Sequence, residues 1–117
     1  MNFYAFLLVR CQVGLIKAYQ IVDTHIGNEL FNVLQFATEL TVSRALLFTK
    51  LKALTGQTPN NFIKTIRLKH AARLLKTNKL QVSEVTKQVG FKDPKYFRKC
   101  FVEQFGVATS RYGEADI

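Results

Sequence analysis

Four side chains that can donate hydrogen bonds lie within five positions near the end of the chain: Lys95, Tyr96, Arg98 and Lys99. Ammonium and guanidinium groups act only as donors and are positively charged at neutral pH. A close set of such groups can bind a polyanion both by charge and by directed hydrogen bonds. The surrounding stretch, QVSEVTKQVGFKDPKYFRKCF (residues 81–101), is typical of two short helices joined by a Gly-Phe turn. The donors fall on the second of these helices, so the elements that position it decide what they reach.

The positive charge of the chain is concentrated in its middle. The 117 residues have a formal net charge of +9. Between Arg44 and Lys99 there are 14 Lys or Arg residues and two acids, Glu84 and Asp93, whereas the rest of the chain is slightly acidic. A basic block of this kind in a folded region predicts a polyanionic partner, nucleic acid foremost. A solvated surface that serves only solubility is the alternative.

Other classes of function have little support in the sequence. It contains no phosphate-binding loop, no HExxH or GxSxG motif and no informative Cys-His spacing, so we expect neither an enzyme nor a bound cofactor or metal. The two cysteines, Cys11 and Cys100, form no disulfide framework or zinc pattern, and we predict reduced thiols. The longest apolar run, from Phe3 to Val9, is shorter than the roughly 18–20 residues of a membrane helix. We therefore expect a soluble, cytoplasmic chain without membrane contact.

Helix start signals recur along the chain, whereas strand signals are scarce. Asn32 and Ser43 can each accept a hydrogen bond from the first turn of a following helix. Thr58 and Asp93 are capping residues that stand directly before a proline. We predict an all-α fold with helices over residues 14–28, 33–40, 43–55, 59–77, 82–89 and 94–105, and a last turn from residue 109.

The predicted helices form a repeat. Matching positions, at an offset of 49 residues before a turn and 50 after it, are Val33 and Val82, Phe36 and Val85, Leu40 and Val89, Leu47 and Phe97, Leu51 and Phe101, and Gly56 and Gly106. Each copy is a short helix, a tight turn and a longer helix, which is the helix-turn-helix pattern. Helical spacing assigns two stripes of side chains to the core: Leu47, Leu51 and Leu54, and Phe97, Phe101 and Phe105.

The repeat divides the chain into four segments. Residues 1–13 are an apolar N-terminal extension of unknown role, residues 14–57 a first helix-turn-helix lobe, residues 58–78 a linker helix, and residues 79–117 a second lobe. The linker helix is expected to be about 28 Å long. It could hold two recognition helices in successive major grooves of duplex DNA, which are on the order of 34 Å apart.

Two stretches of the sequence resemble the DNA-binding domain of the AraC/XylS transcription regulators. They are SRALLFTKLKALTGQTPNNFIKTIRLKHAARLL and VSEVTKQVGFKDPKYFRKCFVEQFG, and the resemblance covers residues 30–112. The first is particularly similar to the C-terminal domain of hybrid two-component regulators of Bacteroides-type bacteria, where sensor, kinase and receiver domains usually belong to the same chain. The resemblance implies sequence-specific binding of promoter DNA, activation of transcription through RNA polymerase, and no cofactor. Non-specific binding to nucleic acid or to a membrane surface is the alternative.

In the second lobe, the resemblance implies base contacts at Pro94, Lys95, Tyr96, Arg98 and Lys99. Arg98 and Lys99 can donate to O6 and N7 of guanine. Tyr96 either meets a thymine methyl group or is partly buried, and both alternatives stay open at this point.

In the first lobe, the positions that match these base contacts carry less polar side chains. Ala45 and Thr49 can touch thymine methyl groups, which predicts that this helix reads A·T steps. Phe48 either does the same or packs against the linker helix, and we prefer packing. Phosphate contacts are assigned to six residues: Ser43, Arg44, Lys50, Lys52, Arg67 and Lys92. For Arg67 a solvated helix face is the alternative.

The chain departs from the family pattern at a few positions. Thr41 stands in the first turn, where glycine is usual, and a left-handed conformation there would cost roughly 1 kcal/mol. Gln81 occupies the place of a better helix cap such as serine. Ala108-Thr109 replaces the usual Thr-Pro, which weakens the signal for the last helix.

Overall fold

The protein folds as an array of α-helices. The computed structural model describes residues 3–77 and 80–112, and for residues 3–13 the backbone alone. Within these ranges there are seven helices: α1 (Phe3–Thr24), α2 (Val33–Glu39), α3 (Arg44–Thr55), α4 (Pro59–Thr77), α5 (Val82–Gln88), α6 (Pro94–Phe105) and α7 (Thr109–Tyr112). The predicted all-α class, with two helix-turn-helix pairs and a long linker helix, is confirmed.

The largest departure from the predicted boundaries is in α1. This helix begins at Phe3 rather than Gly14, and it ends at Thr24 rather than Asn28. Gly14 continues the helix because one interior glycine costs only about 1 kcal/mol. Asn28 lies in the following loop, where its side chain accepts a hydrogen bond from the Leu30 amide at 3.0 Å. In the part of the chain that the structure describes, no helix has the length and apolar character needed to cross a bilayer.

The predicted N-caps are formed as hydrogen-bonded structures. Asn32, Ser43, Thr58 and Asp93 each accept a bond from a backbone amide in the first turn of the next helix, at 2.9–3.2 Å. These bonds satisfy amides that have no partner inside their helices. Gln81 also has an extended backbone at the cap position, but its side chain makes no capping bond.

Left-handed residues end the helices and form the turns at matching places in the two copies. Gly56 and Gly106 end α3 and α6 with φ of 75° and 71°. In the two turns, Thr41 and Gly90 have φ of 58° and 81°. Since threonine is β-branched, its left-handed conformation is strained in a way that glycine avoids.

Contacts within the chain group the helices into two compact units. The first unit contains α1, α2, α3 and the start of α4 up to Ile63. Its centre is Phe36, which is fully buried and lies 6.0 Å from the ring of Phe31 and 5.9 Å from that of Phe62, measured between centroids. Leu47 and Leu51 of α3 are buried in the same unit. Phe31 and Phe36 thus pack against each other across the start of α2.

The second unit contains the rest of α4, helices α5 to α7 and the loop Ile26–Leu30. Nine of its buried residues form one hydrophobic cluster: Leu68, Ala71, Ala72, Val85, Val89, Phe91, Phe97, Cys100 and Phe101. Phe97 lies edge-on to Phe91 at 5.2 Å, and Phe101 lies edge-on to Tyr112 at 5.2 Å. Aromatic rings thus connect the turn, the longer helix α6 and the terminal helix α7.

One core assignment was wrong. Leu54 is 45% exposed, although helical spacing placed it with Leu47 and Leu51. Its position in the repeat corresponds to Gln104, whereas Phe105 corresponds to Thr55. In the last turn of α3 before Gly56, the position that corresponds to the core residue Phe105 is therefore Thr55, one residue after Leu54.

The matching turn residues give a stability prediction of opposite sign. Replacing Thr41 with Gly should raise the free energy of unfolding by roughly 0.5–1 kcal/mol, because relief of backbone strain at this exposed residue outweighs loss of the local hydrogen bond from its hydroxyl to the Leu40 carbonyl. Replacing Gly90 with Ala should lower it by about 2 kcal/mol or more, since the new Cβ would lie 2.5 Å from the Ile26 carbonyl oxygen. Urea unfolding measures both effects, and a stabilised Gly90→Ala variant would contradict this account.

The cap of α6 gives a second prediction. Replacing Asp93 with Ala removes the acceptor for the Lys95 amide and should lower the free energy of unfolding by about 1 kcal/mol. Asp93→Asn is the matched control, which keeps the acceptor and should stay within about 0.5 kcal/mol of the unmodified chain. Equal losses in the two variants would show that the charge, rather than the hydrogen bond, stabilises the helix start.

Candidate nucleic-acid interface

Helix α6 separates an aromatic face from a cationic face. Phe97 and Phe101 are fully buried, whereas Lys95, Arg98 and Lys99 are exposed. With 3.6 residues per turn, Lys95 and Lys99 stand one turn apart on the side opposite the two rings. The structure thus brings three of the predicted base-contacting residues onto one open surface of the second unit.

Both alternatives that the sequence left open for Tyr96, contact with a thymine methyl group and partial burial, stay open in the structure. Tyr96 is 51% exposed, and its ring lies 6.1 Å from that of Phe91. The pKa of the Tyr96 hydroxyl is raised, chiefly by a hydrogen bond with the Cys100 thiol. The charge of Cys100, burial and the charge of Glu103 raise it further, in that order. Cys100 itself is buried and free, as predicted, while the side chain of Cys11 lies outside the described residues.

Helix α3 offers a different exposed surface at the matching positions. Ala45, Phe48 and Thr49 stand where α6 has Lys95, Arg98 and Lys99, and all three are exposed. Phe48 is 48% exposed, so much of its ring is not covered by packing. The hydroxyl of Thr49 donates to the Ala45 carbonyl at 3.0 Å, which leaves the methyl group as its group for nonpolar contact.

Five of the six residues assigned to phosphate contacts are exposed: Ser43, Arg44, Lys50, Lys52 and Lys92. The Ser43 oxygen accepts from the Leu46 amide, and its own proton can still be donated. The Lys52 ammonium donates to the Gly56 carbonyl at 3.2 Å, at the C-terminal end of α3. An ammonium group has three donors, so this bond leaves donors for a phosphate.

Arg67 has a different environment from the other five. Its guanidinium is partly buried, Nη2 donates to the Asn28 carbonyl oxygen at 2.9 Å, and burial lowers the pKa of the group. Its Nε is buried and has no hydrogen-bond partner among the described residues. We therefore leave Arg67 out of the candidate interface. Sequence reasoning had no signal for this contact, because 39 positions separate the two residues.

The exposed groups of α6 and α3 can perform complementary chemistry. The cations of α6 can donate to phosphate oxygens and to O6 and N7 of guanine. The methyl and phenyl groups of α3 can contact the C5 methyl of thymine. Among the described residues, no cluster of His, Cys, Asp or Glu could hold a metal ion.

Residues 36–115 match the protein family described as "Helix-turn-helix domain". The chain is 55% identical over 96 residues to Histidine kinase P4 of Formosa agariphila, a match that covers 82% of this chain. It is 34% identical over 77 residues to the HTH-type transcriptional activator RhaR of Salmonella heidelberg, a match that covers 66% of this chain. The solved DNA-binding domain of AdpA, a global transcriptional factor in complex with a target DNA, is 28% identical, has a TM-score of 0.75 and is covered over 90% of both chains.

The matched segments are small parts of the two relatives, 7% of the kinase and 27% of the activator. The family match, by contrast, spans most of this chain and includes the second copy of the repeat and all but the first three residues of the first copy. The chain belongs to the AraC-type helix-turn-helix domain family, as the resemblance in its sequence predicted.

Proposed function

We propose that this chain binds duplex DNA in a sequence-specific manner and regulates transcription, with α3 and α6 as recognition helices in successive major grooves. The observation that carries the proposal is the surface of α6, where Lys95 and Lys99 are exposed opposite a buried aromatic face and Arg98 is exposed beside them. A helix held in this way can enter a major groove without losing its own core contacts.

Specificity in the second lobe rests on Arg98 and Lys99. A guanidinium that contacts O6 and N7 of one guanine forms two hydrogen bonds, which discriminate against other bases by about 1–3 kcal/mol. Lys95 and Tyr96 contact neighbouring bases, and Lys92 neutralises a phosphate beside the turn. A phosphate contact such as that of Lys92 adds affinity but carries no sequence information.

The first lobe reads A·T steps through methyl contacts of Ala45, Phe48 and Thr49. The exposure of Phe48 and the internal hydrogen bond of the Thr49 hydroxyl support this assignment. Ser43, Arg44, Lys50 and Lys52 are the phosphate contacts of this lobe.

The biological setting is also a proposal. Relatives named as a histidine kinase and as a transcriptional activator support a regulator in which this domain works with sensor or receiver domains and activates transcription through RNA polymerase. The hybrid two-component organisation of Bacteroides-type bacteria fits these names. The domain acts in the cytoplasm, where promoter DNA is accessible, and it needs no cofactor or catalytic group.

Selection of duplexes from a random library tests the proposal. The purified chain should enrich two short boxes separated by about one helical turn, at about 150 mM salt. One box should contain guanine, and Arg98→Met should relax the preference at that guanine by about 1–3 kcal/mol, as measured by competition binding.

The control variant in this experiment is Lys69→Met, which removes one exposed cation of α4 and should leave both boxes unchanged. Enrichment of one box would restrict base reading to one lobe. Binding at low salt without any enriched box would instead support the alternative, a non-specific basic module.

Thr49 gives a separate prediction about the first box. Thr49→Val keeps the methyl group and loses only a hydroxyl that bonds within the helix, so the preference for thymine should remain. Thr49→Ser keeps the hydroxyl and loses the methyl group, so the preference should fall by roughly 1 kcal/mol. Competition between duplexes with and without thymine in the first box measures both. The opposite ranking of the two variants would mean that the hydroxyl reads the base.

A further inference from the structure

The turn between α5 and α6 is crowded at Gly90. A Cβ atom built on this glycine would lie 2.5 Å from the Ile26 carbonyl oxygen and 3.1 Å from both Cζ and Nε of Arg67. Close by, a Cβ on Gly27 would lie 3.3 Å from the Gln88 carbonyl oxygen. The turn is thus enclosed by the loop Ile26–Leu30, by the end of α5 and by a side chain of α4, all within the second unit.

Arg67 connects these segments. Its stem rises from α4, its Cζ and Nε lie against Gly90, and its Nη2 donates to the Asn28 carbonyl. Its acceptor is a backbone carbonyl, so the partly buried guanidinium holds a loop. Leaving Nε buried without a partner among the described residues costs free energy, which indicates that the position of the guanidinium is imposed by its surroundings.

Hydrogen bonds and a ring contact connect this turn to the start of α6. The amides of Gly90 and Phe91 donate to the carbonyls of Lys87 and Thr86 at 3.2 and 3.1 Å. Phe91 is buried edge-on to Phe97 of α6, and α6 begins at Pro94, three residues further on. A shift of the turn would therefore move the first turn of α6.

We propose that Arg67 is a positioning residue for α6: it holds the Gly90 turn against the loop Ile26–Leu30 and thereby sets the direction in which α6 presents its cationic face. Arg67 acts through the turn and does not touch DNA. The statement about DNA rests on the proposed function, whereas the effect on the turn does not.

Binding of four proteins to two duplexes tests the role of Arg67 in recognition. They are the unmodified chain, Arg67→Met, Arg67→Lys and Lys92→Met, each measured with the duplex that the unmodified chain selects and with an unrelated duplex, between about 50 and 300 mM salt. Arg67→Met should weaken binding to the selected duplex about tenfold or more, with little change for the unrelated duplex or in the salt dependence. Lys92→Met should weaken binding to both and reduce the slope of log K against log salt by about one.

Arg67→Lys separates the two roles that a cation can have. If Arg67 is a positioning residue, lysine fails to restore binding, because a point charge lacks the planar group that packs against Gly90. Full restoration by lysine, with equal losses on both duplexes and a reduced salt slope in Arg67→Met, would overturn the proposal in favour of a phosphate contact.

Amide hydrogen exchange tests the turn without DNA. In Arg67→Met, exchange at Gly90 and Phe91 should become about tenfold faster or more, while the Leu47 and Gly56 amides of the first unit keep their rates. Unchanged exchange at Gly90, or an equal increase everywhere, would overturn the proposal. If the unmodified chain selects no duplex, the proposed function fails, and the exchange data still decide whether Arg67 holds the turn.

Discussion

A recognition helix must be held through its inner face alone, because its outer face has to stay open to a partner. In α6, the proposed recognition helix of the second lobe, this constraint is met by Phe97 and Phe101, which are fully buried. Each buried phenylalanine contributes about 1.5–3 kcal/mol. The repulsion among the exposed cations on the other face is screened by water and salt, so it is the smaller effect. The edge-on contacts with Phe91 and Tyr112 also fix the rotation of the helix, and hence which side chains face outward.

The two copies of the repeat share their inner faces and differ in their outer faces. Leu47 and Phe97 are buried at the same position of the third and sixth helices, whereas the exposed Phe48 corresponds to the exposed Arg98. A core position must fill a defined volume, so its apolar character is restricted. An exposed position has no such restriction, and the two helices can therefore carry different chemistry on the same scaffold.

The two turns show that the same backbone conformation can accept a side chain at one place in a protein and exclude it at another. Thr41 and Gly90 both have positive φ. Thr41 is exposed, and the cost of its side chain is limited to local strain. At Gly90 a side chain would meet a carbonyl oxygen of the loop Ile26–Leu30 and the guanidinium of Arg67. The difference lies in what surrounds the turn and not in the turn itself.

The sequence by itself determined the helices, the repeat and the family. Capping residues such as Ser43 and Asp93, terminal glycines and apolar spacing act over a few residues, and these local rules predicted every helix after the first with small errors at the ends. They failed for Leu54, which is exposed, and for the start of α1, where no neighbouring residue stops the helix. Only the tertiary structure decided that Arg67 is partly buried against Gly90 and that Phe48 stays exposed. Such contacts join residues far apart in the chain, and their geometry depends on the packing of whole helices rather than on any local pattern.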